Sequence, residues 1–283
     1  MTATIDGLTS ATLKHLREEW WDEEFTEFLA ETLRPRSGNR ILDVGCGEGL
    51  AEISIGRLHI SQVRLFGVDL VLSKVLDARR ATAAHNQRVA FAAADACRLP
   101  FVDASFDSIY CVAVLQHVRD IEAAVAEFAR VTRPDGRVVA VEPDNTTRYF
   151  FSPTPAGARA FELSRQFFHT VAALLRDPAI APVGPTLPAL FARHDVEPID
   201  VRLFPVSQAT LGAPADAVWA ERRRVVERTV AAVSALDPAP EARALGHQYL
   251  DVLRAYEAEA REAGPAFVEI QNTMLFATVG QRR

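Results

Sequence analysis

The run Ile41-Leu42-Asp43-Val44-Gly45-Cys46-Gly47-Glu48-Gly49 decides the fold. Its first four residues read as a short apolar strand, and three alternating glycines then lead into helical spacing over 49–58. Glycine lets the backbone turn sharply and lets a ligand come close to main-chain N–H groups. The N-terminus of the helix that follows adds partial positive charge, which suits a carboxylate. The third glycine comes one residue earlier than in the G-x-G-x-x-G dinucleotide fingerprint. That spacing disfavours a nicotinamide dehydrogenase.

Outward from this run the chain alternates apolar stretches with helical ones. Strands are predicted at 40–44, 63–68, 89–93, 108–114 and 138–141, with helices at 73–86 and 121–131 between them. Such alternation predicts a parallel sheet with helices on both faces. After Glu142 the rhythm changes, and Pro143, Pro153 and Pro155 mark a long loop. Helices are then predicted at 156–175, 215–235 and 240–263, and strands at 199–206 and 268–279; Pro178, Pro182, Pro185 and Pro188 mark an irregular stretch. Residues 8–34 carry helical spacing through Leu13, Leu16, Trp20, Phe25, Leu29 and Leu33. The expected architecture is α/β: a Rossmann-like, seven-stranded, mostly parallel sheet, its last strand antiparallel, with a helical cap or insertion. Residues 1–39 form a helical lid, 40–143 the core, and 144–283 the end of the sheet with helical insertions, all one integrated catalytic domain.

Composition narrows the function classes. Of 283 residues, 49% are hydrophobic and 24% charged, ordinary for a globular chain with a sizeable core. The net charge of -6 argues against a nucleic-acid partner, because the average field repels phosphate. Cys46, Cys97 and Cys111 form no C-x-x-C pair, which suits a reducing compartment and argues against a zinc knuckle. No metal site is expected, since the histidines are scattered without i, i+4 pairing. No signal peptide and no membrane span are visible, so the expected location is the cytoplasm.

Two acids extend the pattern. Asp69 ends the second strand twenty residues after Gly49, where a carboxylate accepts hydrogen bonds from ribose hydroxyls or caps the next helix. Asp95 and Ala96 follow the third strand at the same sheet edge, where Asp95 either meets an adenine amino group or makes an ordinary turn.

The segments DVGCGEG (43–49), GVD (67–69), AADACRLPFVDASFDSIYCVAVLQHV (93–118) and ARVTRPDGRVVAVEP (129–143) together resemble class I S-adenosylmethionine-dependent methyltransferases, chiefly the group acting on small molecules and ubiquinone-type quinones. The resemblance covers about residues 40–143. It implies S-adenosylmethionine as cofactor, S-adenosylhomocysteine as product, and a small-molecule methyl acceptor. It also implies that Asp43, Gly45 and Gly47, with Cys46 between the glycines, hold the methionine part. Asp69 then matches the ribose acid and Leu70 an apolar contact to adenine. Asp95 and Ala96 match the adenine-edge pair, and residues 112–117, with Val112 and Gln116, run beside the sulfonium.

Methyl transfer mainly needs near-attack geometry and exclusion of water. A base matters where the acceptor must lose a proton. His117, after the fourth strand, is the candidate base or else a structural histidine. Glu142 and Asp144 end the fifth strand as acceptor-binding groups, bases or loop caps. Tyr149, Phe150 and Phe151, with Phe168 beyond, either wall a pocket for a flat apolar acceptor or pack the insertion. Trp20 either lies over the cofactor or docks its helix, and Arg222-Arg223-Arg224 reads as a solvated helix face. The expected acceptor is a small, apolar or aromatic metabolite. The segment Asp107-Ser108-Ile109-Tyr110 lacks the signature of enzymes methylating base amino groups, which disfavours the nucleic-acid alternative. A relative that keeps the cofactor without methylating remains the other alternative.

Overall fold

Strand β1 (Arg40–Val44) is buried on both faces, with Ile41, Leu42, Asp43 and Val44 all at most 4% exposed. A near-continuous apolar run is what a central parallel strand requires. In the computed structural model, which describes residues 21, 23–57, 63–175, 182–235 and 239–283, β1 pairs in parallel with β2 (Arg64–Asp69) on one side and β4 (Phe106–Val112) on the other. β3 (Val89–Ala93) extends the first side and β5 (Thr132–Phe151) the second, both in parallel. β6 (Val196–Leu211) and β7 (Val268–Arg282) complete a seven-stranded sheet of order β3-β2-β1-β4-β5-β7-β6. β7 runs antiparallel to β6. Gly212 N–H meets Phe267 O, Asn272 meets Ser207, and Arg283 N–H meets Asp195 O, so one strand ascends as the other descends.

The chain divides into two compact units. Among the described residues the first lies within 21–145, 182–204 and 274–283, and all seven strands contribute to it. Side chains alternate across a strand. Leu42, Val44, Ile109, Cys111, Val138 and Ala140 therefore share one face, where α4 (Ile121–Val131) and α6 (Val183–Arg193) bury Val125, Phe128, Leu187 and Phe191. On the other face Ser108 donates its hydroxyl hydrogen bond to the Leu33 carbonyl at the end of α1 (Glu23–Leu33). Helix α2 (Leu50–Arg57) also lies on that face, because Glu52 reaches Gly67 and Asp43 there. α3 (Leu72–Ala84) buries Val75 and Ala78 with Phe91 and Cys46.

Helix α4 starts where the Asp120 carboxylate accepts the Ala123 N–H at 2.9 Å. Asp120→Ala should lower stability by about 1 kcal/mol, seen as a lower urea midpoint at unchanged slope.

The second unit lies within Thr146–Ile180 and Pro205–Thr273 among the described residues. α5 (Pro155–Leu175), α7 (Asp216–Ser234) and α8 (Pro240–Ala263) pack around Phe167, Trp219, Tyr256 and Phe267. Here the reading of residues 222–224 as a solvated face is corrected for Arg222 and Arg223, while Arg224 is exposed. Arg222 forms a two-pronged ion pair with buried Glu269 at 2.7 and 2.9 Å, its guanidinium lies over the Trp219 ring, and Arg223 pairs with Glu257.

Two further expectations change. The loop expected from Pro143 onward is strand, because β5 runs to Phe151. β4 pairing ends at Val112–Val141, so the missing Pro143 N–H costs no bond on that side. The proline-rich stretch contains helix α6, whose Pro185 sits in the first turn, where an N–H has no intrahelical partner anyway. Of the N-terminal helical prediction, 23–33 is helix, while Trp20 lies outside the described residues. No described helix is long and apolar enough to cross a membrane.

Candidate functional site

From β1 the chain moves outward to β2 and β3, then returns to place β4 on the opposite side of β1. Reversal of strand order at β1/β4 opens a crevice at the carboxyl ends of the two strands, where open α/β sheets bind ligands.

The loop after β1 fills one lip of that crevice. Gly45, Gly47 and Gly49 all have positive φ, at 82°, 53° and 84°. Gly45 and Cys46 donate their N–H groups to the Val68 carbonyl at 2.7 and 2.9 Å, which pins the loop to the end of β2. A Cβ on Gly45 would lie 2.2 Å from a Val114 methyl, so the loops after β1 and β4 touch through a missing side chain. A Cβ on Gly49 would press on Ala78 of α3 at 3.2 Å. Over Gly47 the space is open, with nothing nearer than 4.0 Å.

Asp69 closes the loop from the side. One carboxylate oxygen accepts the Gly47 N–H at 3.0 Å, and the other accepts the Val71 N–H at 2.8 Å. Leu70 beside it is 70% exposed, a bare apolar side chain at the sheet edge. After β3, Asp95 is exposed and accepts the Cys97 N–H at 2.9 Å, while Ala96 is buried. That loop is fastened to α4, because Arg130 donates to the Phe101 and Leu99 carbonyls and Glu127 accepts the Leu99 N–H.

The other lip follows β4. Ala113 holds a φ of 55°, unusual for a residue with a Cβ, and donates its N–H to Val141 O at 2.8 Å. A short 3₁₀ turn, Leu115–His117, comes next. Glu142, fully buried at the end of the β5 pairing, aims its carboxylate at this turn and accepts the N–H groups of Val114, Leu115 and Gln116 at 2.8, 2.7 and 3.2 Å. Val112 is half-buried, Gln116 buried and His117 exposed.

Beneath the glycine loop lies a row of buried polar groups. Asp43 is in register with Gly67 on one side and Tyr110 on the other. The Glu52 carboxylate lies over Gly67, where a Cβ would meet its Oε1 at 2.6 Å. Burial raises the Asp43 carboxyl to about 8; the Tyr110 phenol opposes that rise and the Asp69 charge adds to it. Burial, then the Asp43 charge, pushes Glu52 well above the carboxylate range.

Residues 42–140 match a family model described as a methyltransferase domain. They form a class I S-adenosylmethionine-dependent methyltransferase domain. The chain is 33% identical over 159 residues to a 27-O-demethylrifamycin SV methyltransferase of Amycolatopsis mediterranei, covering 52% of this chain and 56% of that one. It is 28% identical over 198 residues to a demethylmenaquinone methyltransferase of Thermus thermophilus, covering 70% and 82%. The solved structure of the YcgJ protein of Bacillus subtilis superposes with a TM-score of 0.55 at 21% identity, over 93% of this chain and 99% of that one, which is a likeness of fold. The chain spans about half the length of the first curated relatives it matches.

The methyltransferase domain fits the cofactor its family implies. The open face over Gly47 leaves room for a ligand against the backbone, and Asp69 keeps unused lone pairs beside two accepted N–H bonds. Among the described residues no group of three or more His, Cys, Asp or Glu is arranged to hold a metal.

Expectations for several of the site residues change or narrow. Of the roles offered for Glu142 (acceptor-binding group, base or loop cap), its contacts match the last: its carboxylate holds three backbone N–H groups of the loop after β4. Phe150 stacks on Phe161 with ring centres 4.7 Å apart, and Phe168 packs on Phe167 and Tyr249, so both belong to the core of the second unit. Tyr149 is 57% exposed in the outer part of β5. Cys46 is a buried filler whose thiol is kept protonated by burial and by Asp43, Glu52 and Asp69. Glu52 and Tyr110 escaped sequence reading, since an acid in a helix's first turn looks like ordinary dipole pairing.

Proposed function

We propose that this chain transfers a methyl group from S-adenosylmethionine to an oxygen of a small metabolite. The observation that carries the reading is the three-glycine loop at the switch point, all at positive φ, open over Gly47 and flanked by the Asp69 carboxylate. The names of the relatives favour an oxygen acceptor and natural-product or quinone chemistry. When bound, the cofactor supplies a methyl group activated by a cationic sulfur. The α2 N-terminus and the open backbone face over Gly47 would receive the methionine part, Asp69 would accept from the ribose hydroxyls through its remaining lone pairs, and Leu70 would cover an adenine face. Asp95 and Ala96 border the adenine edge, and Gln116 and Val112 line the reaction side. His117, exposed at the end of the 3₁₀ turn, would take the proton of the acceptor hydroxyl as the acceptor oxygen bonds to the methyl carbon and the methyl–sulfur bond breaks, leaving S-adenosylhomocysteine.

Titration calorimetry with S-adenosylhomocysteine tests the cofactor assignment. Wild type should bind, and Asp69→Ala should bind about ten- to a hundredfold more weakly, the loss expected for hydrogen bonds to a charged group. Gly47→Val, a β-branched residue at a φ of 53° that also fills the open face, should not bind. A folded wild type that ignores the ligand sinks the assignment. If binding holds, a screen of hydroxyl acceptors with wild type and His117→Ala tests the base.

A further inference from the structure

The row under the glycine loop is unusual in its lack of partners. Glu52 is completely buried, yet neither carboxyl oxygen has a hydrogen-bond partner, and the Tyr110 hydroxyl also lacks one. Asp43, only 4% exposed, lies between them, since its register neighbours are Gly67, which Glu52 covers, and Tyr110. Groups facing the pair come from the neighbouring elements: Cys46 from the loop, Asp69 from β2 and Tyr110 from β4, while Cys111 of β4 lies on the opposite face of the sheet and feels the Asp43 charge across it. Glu142 of β5 acts on Cys111 in turn. These are acids, thiols and a phenol, and burial keeps the thiols and the phenol protonated. Lys74 of α3 pairs with Glu48 of the loop at 2.5 Å instead.

Two adjacent carboxyls in a dry site cannot both ionise without a compensating cation. The methyl donor and its product differ by one unit of charge, the sulfonium. The donor also carries an ammonium, as does the product. A buried acid pair next to the donor site therefore responds to the charge that distinguishes the two ligands.

Building on the cofactor reading above, we propose that the buried pair Asp43 and Glu52 is protonated beneath the glycine loop in the free protein, and that losing one proton makes the site prefer the cationic donor over the neutral-sulfur product. The donor's positive charge favours the ionised pair, so donor binding expels the proton to solvent. By linkage, the slope of log affinity against pH equals the number of protons released. Donor affinity then rises with pH until the free protein has itself lost the proton. Product affinity changes less, because only the shared ammonium acts on the pair. Glu52 is thus a specificity-determining residue that touches neither ligand.

The test is titration calorimetry of wild type with S-adenosylmethionine and S-adenosylhomocysteine from about pH 6.5 to 8.5, in buffers of different ionisation enthalpy. Up to about tenfold tighter donor binding per pH unit is expected, with proton release, against about twofold or less for the product. Glu52→Gln, close in shape, should flatten the donor slope and lower the donor-to-product preference at the upper pH, while product affinity stays within about threefold. The wild-type comparison stands alone should that variant fail to fold. Equal slopes for both ligands, or no proton release with the donor, overturns the proposal while leaving the cofactor site intact. Binding of neither ligand at any pH overturns both.

Discussion

Gly45→Ala is expected to destabilise the protein by about 2–5 kcal/mol and to abolish cofactor binding. Two separate costs meet at this residue. A left-handed φ, 82° here, costs a residue with a Cβ roughly 1–2 kcal/mol. The new methyl would also lie 2.2 Å from one Val114 methyl and 2.9 Å from the other, and such overpacking costs about 1–3 kcal/mol. Val114 cannot easily turn away, because a β-branched side chain has few rotamers and its N–H is fixed on Glu142 at 2.8 Å. Gly38 separates the two terms. Its φ is 86°, but a Cβ there meets nothing within 4 Å, so Gly38→Ala should show the backbone cost alone. Adding Val114→Ala to Gly45→Ala should recover the packing part, a coupling of about 1–3 kcal/mol in a urea-denaturation cycle. If Gly45→Ala unfolds at the wild-type midpoint, the contact between the two loops is not what the structure shows.

The glycine loop was legible because its chemistry is local. Strand, turn and helix start lie within nine residues, and φ-tolerant residues stand where the turn needs them. Helix α4 was legible for a similar reason, since its apolar periodicity is local and matches the predicted 121–131; the Asp120 cap that starts it appears in the structure. What was not legible depends on partners far away in sequence. Pro143 reads as a stop until one sees that β4 has already ended beside it. Arg222 and Arg223 read as solvated until β7 brings Glu269, and α8 brings Glu257. The row Glu52, Asp43 and Tyr110 comes from three elements and exists only once Gly67, Asp43 and Tyr110 fall into register. Aromatic residues carry the least positional information. Phe150 and Phe168 suit a core and a pocket equally well by sequence, and their packing puts them in a core.

Removing the Glu142 side chain should be among the most damaging changes to the site, with Glu142→Ala costing about 3–5 kcal/mol. Its carboxylate is the common acceptor for three successive N–H groups of the loop after β4, in a fully buried place where water does not replace it. The same loop carries Ala113 at a φ of 55°, a strained conformation that persists only while its surroundings over-determine it. Glu142 supplies that constraint from β5. Glu142→Gln sharpens the question of role. The amide keeps one accepting oxygen, but the carboxylate uses one oxygen for Val114 and Leu115 and the other for Gln116, so an NH₂ group must face an N–H donor whichever way it turns. A positioning residue altered this way should lower stability by about 1–3 kcal/mol and raise the KM for the donor, because the displaced turn holds Gln116 and presses Val114 on Gly45. The pH dependence of kcat should keep its shape if, as proposed, His117 and not Glu142 takes the proton. A catalytic base altered the same way would instead lose kcat with KM and stability nearly unchanged, and would lose the limb of the pH profile that reports its ionisation. Measuring urea midpoint, donor KM and the kcat–pH profile of Glu142→Gln therefore separates the two roles. The second pattern would return Glu142 to the catalytic position its place at the end of β5 first suggested.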